Sequence, residues 1–365
     1  MIERIHIENF KSIYDLDINL GRVNLFIGEN GSGKSNLLEA LVFVSANQSN
    51  KLDNEFLSSR GLRVTEPTLM RSAFNKENEN INIEISIGQK NDLANYEFTN
   101  NNTAYSQWER VSGSDEEEVK LLILENKSEN KSFIQKYLNG RYSQIGMQDF
   151  LIYSPENTAL RTFEKEGQIQ PLGINGEGLL KLLKVVNHYE DKSYINTIIE
   201  SLQLFDWFED IHIPDSLSYG EDKVVIKDKY LYQEIDQRST NEGFLFILFY
   251  ITLIVAKETP KAFAIDNIDA SLNPKLCTKL ILIINDLAKK YDKQVFLTTH
   301  NPAVLDGIDL NDEEQKLFVV SRNKLGHTRM KNITVANKPK SSNDEPLKLS
   351  EAFLRGYLGG LPKGF

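Results

Sequence analysis

The chain has 365 residues, enough for about two domains and a large hydrophobic core. Its composition, 40% hydrophobic and 26% charged residues, excludes a wholly disordered, collagen-like or coiled-coil chain. The formal net charge of -10 argues against nucleic-acid binding over the whole surface, and direct binding would need a local basic face.

Two further features of the sequence indicate where in the cell the protein is expected. Cys277 is the only cysteine, so an intramolecular disulfide is impossible, and the N-terminus lacks the pattern of a signal peptide. The longest charge-free apolar run, 243–256, has 14 residues, whereas a membrane span needs about 20. We therefore expect a cytoplasmic protein with no membrane partner, and a buried helix at this run.

In chain order, the pattern changes from strand to helix and back several times. Two alternating strands and a short apolar strand at 23–27 are predicted first, followed by a helix from about Ser35 to Val44. The polar segment 50–145 predicts an inserted, mainly β and loop subdomain, with the acidic run 115–118 in a solvated loop. Later elements are predicted as a strand at 150–153, a helix at 178–186, a hairpin of 224–226 with 230–232, the apolar helix, a strand at 262–265, a helix at 275–290 and a strand at 295–298.

This alternation of strands and helices predicts an α/β fold with a parallel sheet. The predicted domains are a discontinuous core formed by 1–49 and 146–336, the insertion at 50–145, and a C-terminal loop with an amphipathic segment at 337–365.

The segment 28–35, GENGSGKS, fits the phosphate-loop pattern G-x-x-x-x-G-K-[ST] between a predicted strand and a predicted helix. Its glycines let backbone N–H groups approach phosphate oxygens without an intervening Cβ. Lys34 supplies a charge for the outer phosphates, and Ser35 offers a hydroxyl to Mg²⁺. The loop predicts ATP and Mg²⁺ as ligands. The loop residues expected to contact ATP are Glu29, Asn30, Gly31, Ser32, Gly33, Lys34, Ser35 and Asn36.

Two later strands end in residues typical of nucleotide hydrolysis. The strand at 262–265 ends at Asp266, whose carboxylate is positioned to reach Mg²⁺, and the strand at 295–298 is followed by His300. A histidine after the strand that follows such an aspartate is a much stronger signal than a histidine alone.

These motifs resemble the ABC-type ATPase heads of RecF, SMC and OLD proteins and the related prokaryotic AAA family ATPases. The matching segments are IxIENFKSI, GENGSGKSNLLEAL, IDNIDASLNP and TTHNP, spread from residue 5 to residue 302. The resemblance implies a P-loop NTPase fold, catalytic roles for Lys34, Asp266 and His300, and a homodimer or higher oligomer that encloses ATP.

The resemblance also exposes a departure from the pattern. After the aspartate such heads carry glutamate, the general base, whereas this chain carries Asn267. An amide keeps the shape and removes the base, which implies slow hydrolysis or a chain that binds ATP and clamps. Asp269 is the nearest carboxylate that can compensate.

ABC-type heads cover the partner's ATP with a signature segment that opens a helix. The segment 239–243 opens the apolar helix 23 residues before Asp266, and its expected contacts are Ser239, Asn241 and Gly243. The segment 217–221 looks closer to the usual signature, but a β-like stretch follows it, so we favour 239–243. The third alternative is that the chain has no functional signature.

Three further positions are weaker candidates. Lys11 is a candidate to stack on adenine, Gln148 to sense Mg²⁺, and 153–157 to face the nucleotide. No heptads separate Lys34 from Asp266, which excludes an SMC arm. The 65 residues after His300 are too few for the nuclease domain of OLD proteins.

Isolated heads of this kind resemble the ATPase subunits of bacterial anti-phage defence systems, which implies a separate effector protein, a nuclease or toxin. The alternatives are a RecF-like repair ATPase that clamps DNA directly and a non-hydrolysing ATP-dependent scaffold. A transporter subunit is disfavoured, because the signature and the base position both depart from that pattern.

Overall fold

Two β-sheets face each other across the first helix. The computed structural model describes residues 1–103, 106–112, 147–163, 167–214, 223–339 and 347–361. The strands are β1 (Arg4–Phe10), β2 (Ile13–Asn19), β3 (Val23–Gly28), β4 (Ile83–Gln89), β5 (Asp92–Thr99), β6 (Glu109–Ser112), β7 (Ile152–Tyr153), β8 (Phe208–His212), β9 (Val225–Asp228), β10 (Ile235–Asp236), β11 (Ala262–Ile265), β12 (Gln294–Thr299), β13 (Gln315–Arg322) and β14 (Thr328–Ile333). The α-helices are α1 (Lys34–Gln48), α2 (Asn54–Ser59), α3 (Pro67–Met70), α4 (Asn157–Leu160), α5 (Leu179–Asn187), α6 (Ser193–Leu202), α7 (Glu242–Val255), α8 (Pro274–Lys290) and α9 (Leu349–Leu354). Short 3-10 helices lie at Lys76–Asn80, Pro302–Gly307 and Val335–Asn337.

The six-stranded sheet has the order β14-β13-β3-β12-β11-β7 and is parallel except for the edge strand β14. Its strands are apolar at successive positions because both faces are covered. In β3, Leu25 and Ile27 pack into one hydrophobic cluster, while Phe26 packs into the other. The predicted α/β class with a parallel sheet is confirmed.

The antiparallel five-stranded sheet has the order β2-β1-β4-β5-β6. In it β4 pairs directly with β1, and Ile7 lies opposite Ile85. The described part of the predicted insertion at 50–145 contributes strands that extend the N-terminal sheet and side chains that pack in its core. The acidic run 115–118 lies outside the described residues.

Helix α1 is enclosed by the two sheets, and every residue from 37 to 48 is buried. Phe43 contacts Phe98 of the five-stranded sheet at a ring-centroid distance of 4.7 Å, and Phe10 at 6.0 Å. Enclosure on all sides explains why the sequence of this helix shows no continuous polar face.

Helices α5 to α8 pack on the other face of the six-stranded sheet. In α7, all residues from Phe244 to Val255 are buried, as predicted for the longest apolar run. Within the described ranges, no helix combines the length and apolarity that a bilayer crossing requires.

The predicted hairpin of 224–226 with 230–232 is wrong in its second strand. Strand β9 pairs instead with β8 and β10, and Tyr232 is 94% exposed in the connecting turn. The side chain of Asp228 accepts a hydrogen bond of 2.8 Å from the backbone N–H of Tyr230 and so turns the chain. Strands β13 and β14 were not predicted, although 316–320 is an apolar run after one lysine.

Candidate functional site

A polar cavity of about 340 Å³ opens where β3, β11 and β12 end. Because these strands are parallel, their carboxyl ends meet at one sheet edge, the usual ligand site of open α/β sheets. The structure thereby brings together residues far apart in sequence. The lining comprises phosphate-loop residues (Asn30, Gly31, Gly33, Lys34, Ser35, Asn36), residues after the later strands (Asp266, Asn267, His300), and Arg63 and Arg322.

The loop between β3 and α1 has the backbone that its glycines permit. Gly31 and Gly33 have φ values of +75° and +104°, in the left-handed region. A Cβ at Gly33 would lie 2.1 Å from Thr328 Oγ1. The loop can therefore follow this close path only with glycine, and α1 begins at Lys34 with its N-terminus at the cavity.

Lys34 is the innermost cation of the site, only 6% exposed. Its Nζ donates to the backbone oxygens of Gly28 at 2.9 Å and Glu29 at 3.0 Å, so the loop curls around the ammonium. Burial lowers the pKa of Lys34 to about 8, against the opposing effect of Asp266. A bound phosphate would favour the charged form.

Ser32 contributes an unsatisfied hydroxyl to the same loop. Its Oγ is buried and has no hydrogen-bond partner among the described residues. Its backbone oxygen accepts a 2.9 Å hydrogen bond from Thr328 Oγ1, and Arg322 Nε donates to Gly31 O at 2.7 Å. An unpaired donor, a buried ammonium and a helix N-terminus fit an anionic group such as a phosphate.

Asp266 ends β11 beside Ser35 on α1. The Ser35 hydroxyl lies 3.4 Å and 3.3 Å from the two carboxylate oxygens of Asp266, and Thr298 Oγ1 donates to the same carboxylate. A hydroxyl and a carboxylate at a phosphate-binding loop are ligands that Mg²⁺ prefers. The donor set therefore fits Mg²⁺ next to phosphates.

Asn267 lines the cavity, while Asp269 has a different environment. Asn267 adopts φ +56°, and its backbone N–H donates to Thr298 Oγ1 at 2.9 Å. Asp269 accepts a 2.6 Å hydrogen bond from Thr299 Oγ1 and is not among the cavity-lining residues. Its negative charge acts on Lys34 and His300, so Asp269 lies beside the cavity without lining it.

His300 lies beside the phosphate loop, next to Lys34 and the backbone of Gly28. Its Nδ1 is 3.5 Å from Lys34 Nζ, and burial together with the Lys34 charge lowers its pKa. The ring is therefore neutral at pH 7, a form in which one nitrogen donates and the other accepts a hydrogen bond.

A second cavity of about 390 Å³ shares Asn36, Arg63 and Arg322 with the first. Lys11 lines it, but its ammonium is paired with the carboxylate of Glu39, a residue only 1% exposed, and donates to Arg63 O at 2.8 Å. An ammonium bound in this way is not free to stack on adenine, so the structure does not support that expectation for Lys11.

Arg63 is a site residue that sequence reasoning missed. Its Nε donates to Glu39 Oε1 at 2.6 Å and its Nη2 to Asn36 Oδ1 at 3.3 Å, while its side chain remains 68% exposed. The guanidinium is anchored at one end and faces both cavities. No motif marks this arginine, because it lies in a polar segment.

The favoured signature segment opens a helix, as predicted. Asn241 is the N-cap of α7, and its Oδ1 accepts a 2.9 Å hydrogen bond from Phe244 N. Ser239 bonds to Asp236 at 3.2 Å, and Gly243 packs near Ser271 O. None of these residues lines the cavity of the same chain. The rival segment 217–221 lies outside the described residues.

Arg161 holds the segment before the candidate signature, and no motif in the sequence indicates this contact. It donates to the backbone oxygens of Gln237 at 2.8 Å, Arg238 at 2.7 Å and Thr240 at 2.9 Å. These bonds tie the loop before α7 to α4, which follows β7.

Gln148 does not reach the cavity. Its backbone oxygen accepts a 3.1 Å hydrogen bond from Ser45, which lies ten residues, about 15 Å, along α1 from Ser35. The structure therefore does not support the Mg²⁺ role expected of Gln148. Residues 153–157 lie nearer the cavity, since Tyr153 pairs with Ile265 in the adjacent strand.

Comparison with protein families matches an AAA domain model, AAA_23, over residues 4–242. A second model, described as an AAA domain of the putative AbiEii toxin of a type IV toxin–antitoxin system, matches residues 211–306. The first match covers more than half of the chain.

Curated relatives match over shorter stretches. An uncharacterised protein of Methanocaldococcus jannaschii, MJECL10, is 35% identical over 113 residues, which are 29% of this chain and 50% of that protein. The DNA replication and repair protein RecF of Lactobacillus acidophilus is 29% identical over 92 residues, 24% of each chain. RecF of Porphyromonas gingivalis is 52% identical over 46 residues, 12% of this chain and 13% of that protein. The matches thus span half or less of these relatives.

Solved structures match nearly the whole chain. An Smc head bound to the C-winged helix domain of ScpA superposes with a TM-score of 0.58 at 15% identity, covering 92% of this chain and 98% of that one. An Smc head with an extended coiled coil, bound to the C-terminal domain of ScpA derived from Pyrococcus furiosus, gives 0.51 at 11% identity over 92% and 96%. The chain belongs to the AAA_23 family of AAA domains and has the P-loop fold of an ABC-type, RecF- and SMC-like ATPase head.

Proposed function

We propose that this protein is an ATPase that binds ATP with Mg²⁺, dimerises around the nucleotide and controls a separate effector protein in antiviral defence. The observation that carries the proposal is the convergence of Lys34, Ser35, Asp266 and His300 on one cavity lined by the phosphate loop. Ser35 and Asp266 would hold Mg²⁺, whose charge would offset that of the phosphate oxygens.

The proposed turnover is slow because Asn267 occupies the position after Asp266. An amide can orient a water molecule by hydrogen bonding but cannot take its proton at neutral pH. The remaining groups can hold the phosphates and bring charge close to them. The protein should therefore bind ATP tightly and hydrolyse it slowly. Nucleotide state would then act mainly by holding two copies together.

The defence role draws support from the second family match, whose description names a putative AbiEii toxin of a type IV toxin–antitoxin system. The net charge of -10 favours a protein partner over direct clamping of DNA. A RecF-like repair role is the second candidate, because short segments of this chain match RecF proteins at 29% and 52% identity.

The test begins with nucleotide binding. We expect a fluorescent ATP analogue to bind the wild-type protein with Mg²⁺, and Lys34→Ala to lose this binding. Lys331→Ala, which removes an exposed lysine on β14, should leave it unchanged. Equal nucleotide affinity in the wild type and Lys34→Ala would overturn the assignment of the phosphate loop.

The remaining parts of the proposal need separate measurements. Light scattering should show a monomer without nucleotide and a dimer with ATP. Co-purification with the products of neighbouring genes, followed by a phage plating assay of the Lys34→Ala variant, tests effector control. Tight, salt-sensitive binding of duplex DNA by the isolated protein, with no co-purifying effector, would favour the RecF-like role.

A further inference from the structure

Four lysines from three parts of the chain surround a concave groove away from the phosphate loop. Lys275 and Lys279 lie one turn apart on α8, Lys338 follows the 3-10 helix at 335–337, and Lys348 precedes α9. The groove encloses about 460 Å³. We call this cavity, lined by the four lysines with Thr278, Asp306, Ile308 and Leu349, the lysine groove.

Within the described part of the chain, positive charge exceeds negative charge at the lysine groove, because four lysines face only Asp306 in the lining and Asp309, whose charge acts on Lys338. None of the four ammonium groups has a carboxylate within 4.0 Å there. The groove's own carboxylate, Asp306, accepts hydrogen bonds from Ser350 N at 3.0 Å and Ser350 Oγ at 2.7 Å. In a chain with a net charge of -10, such a local excess is a feature to explain.

The shape of the groove selects the kind of anion. Its volume falls within the range of about 300–1,000 Å³ typical of small-molecule sites. Ile308 and Leu349 add apolar lining between the lysines. A nucleic-acid duplex presents its charges along an extended line and needs a long basic strip, whereas a compact polyanion can meet four ammonium groups in one concave site.

We propose that the lysine groove binds a compact, multiply phosphorylated small molecule, such as a nucleoside polyphosphate, at a site separate from the phosphate loop. The lysines would contact the phosphates, and Ile308 with Leu349 would contact the less polar part of the ligand. Such a ligand would reduce the repulsion among the four ammonium groups. Exposed ammonium groups bind phosphate as point charges.

The groove is built on chain segments that continue from the candidate active site. Helix α8 begins eight residues after Asp266, and the 3-10 helix at 302–307 follows His300 by two residues. Thr278 Oγ1 donates to Ala303 O at 2.8 Å and joins the two segments. A ligand in the groove would therefore contact two elements that follow cavity residues closely in the chain.

The test uses full-length protein with Lys34→Ala, so that the phosphate loop contributes little binding. Isothermal titration calorimetry with inorganic tripolyphosphate should show one site. Adding Lys279→Glu and Lys338→Glu should weaken its affinity by about tenfold or more. The matched control adds Lys289→Glu and Lys331→Glu, an equal charge change at exposed lysines outside the groove, and should alter affinity by less than about threefold.

Circular dichroism melting establishes that each variant is folded. If the groove pair and the control pair weaken tripolyphosphate affinity equally, the effect depends only on net charge, and the proposal is overturned. Unchanged affinity in the groove pair would also overturn it. Binding of a 30-base-pair duplex without binding of tripolyphosphate would assign the groove to nucleic acid instead. Because the Lys34→Ala background is used throughout, these outcomes do not depend on whether the phosphate loop binds ATP.

Discussion

Thr299 donates a 2.6 Å hydrogen bond from its Oγ1 to Asp269 Oδ1, and this carboxylate lies beside, but does not line, the cavity that Asn267 lines. The two candidates for activating water are therefore in different environments. Asn267 is in the cavity but lacks a basic group, whereas Asp269 has a basic group that is already accepting a hydrogen bond. The position after Asp266 should thus limit the rate of hydrolysis.

Replacing Asn267 with glutamate should raise ATP turnover by about tenfold or more, since a positioned general base contributes about 10²–10⁴-fold. A phosphate-release assay at saturating ATP measures it. Asn267→Gln is the matched control, because it lengthens the side chain without adding a base, and it should give no gain. A large loss of turnover in Asp269→Asn, which can keep the Thr299 bond, would instead assign the base to Asp269.

Lys11 and Arg63 share the buried carboxylate of Glu39 but should have separable roles. Lys11→Met leaves Glu39 with one partner fewer in a site where the carboxylate is 1% exposed, and should lower the free energy of unfolding by about 3 kcal/mol. Urea denaturation measures this. Nucleotide affinity of the folded variant should change little, because the Lys11 ammonium is bound to Glu39.

Arg63→Ala should show the opposite pattern, a several-fold loss of nucleotide affinity with a smaller change in stability, because this side chain is 68% exposed and lines both cavities. Arg355→Ala, which removes an exposed arginine paired with Glu351, is a suitable control. If Lys11→Met loses nucleotide affinity and Arg63→Ala does not, Lys11 is the nucleotide contact and our interpretation of the Glu39 pairs is wrong.

The sequence allowed prediction of the parts that local rules determine. Glycines and a following helix specify the loop before Lys34, and apolar runs ending in polar residues specify the strands before Asp266 and His300. These strands are parallel neighbours, so their carboxyl ends converge without further information. The predicted ABC-type head is confirmed for the same reason.

The features that were missed depend on long-range pairing. Strand β4 pairs with β1 across 70 or more residues, and the local pattern of the segment 50–145 does not indicate this pairing. Arg63 is identified as a site residue only by its contacts with Glu39 and Asn36 on α1. Gln148 was placed near Mg²⁺ from its distance to a predicted strand, but the strand begins four residues later and Gln148 bonds to the far end of α1.

Nucleotide affinity should depend on pH through Lys34. Burial lowers the pKa of its amine to about 8, so above pH 8 the free protein holds mostly the neutral form and must take up a proton to bind phosphate as an ammonium. Affinity should fall by about tenfold per pH unit above 8, up to the pKa of the bound state. Between about pH 8 and 10.5, the Lys34 amine is mostly protonated in the unfolded chain and mostly neutral in the folded one. Because the unfolded state then binds more protons, Lys34 makes the free energy of unfolding rise with pH over this range.

Titration calorimetry at pH 7.5 and 9.0 in buffers of different ionisation enthalpy measures this proton uptake. Lys34→Arg is the control, since arginine stays charged over this range and should give an affinity that varies little with pH. His300 does not confuse the result, because its lowered pKa keeps the ring neutral throughout. Equal pH dependence in Lys34→Arg would assign the proton to another group.

Arg161 should matter for the proposed ATP-dependent dimer more than for nucleotide binding within one chain. Its guanidinium holds the backbone oxygens of Gln237, Arg238 and Thr240, just before the helix that opens at Asn241. Because lysine cannot reproduce this planar fork, both Arg161→Lys and Arg161→Ala should weaken dimerisation by about tenfold. Light scattering across a protein dilution series with ATP measures it, with a fluorescent ATP analogue reporting affinity separately. Unchanged dimerisation in a folded Arg161→Ala variant would indicate that this segment does not act between copies, and equal losses of dimerisation and nucleotide affinity would indicate a general structural role.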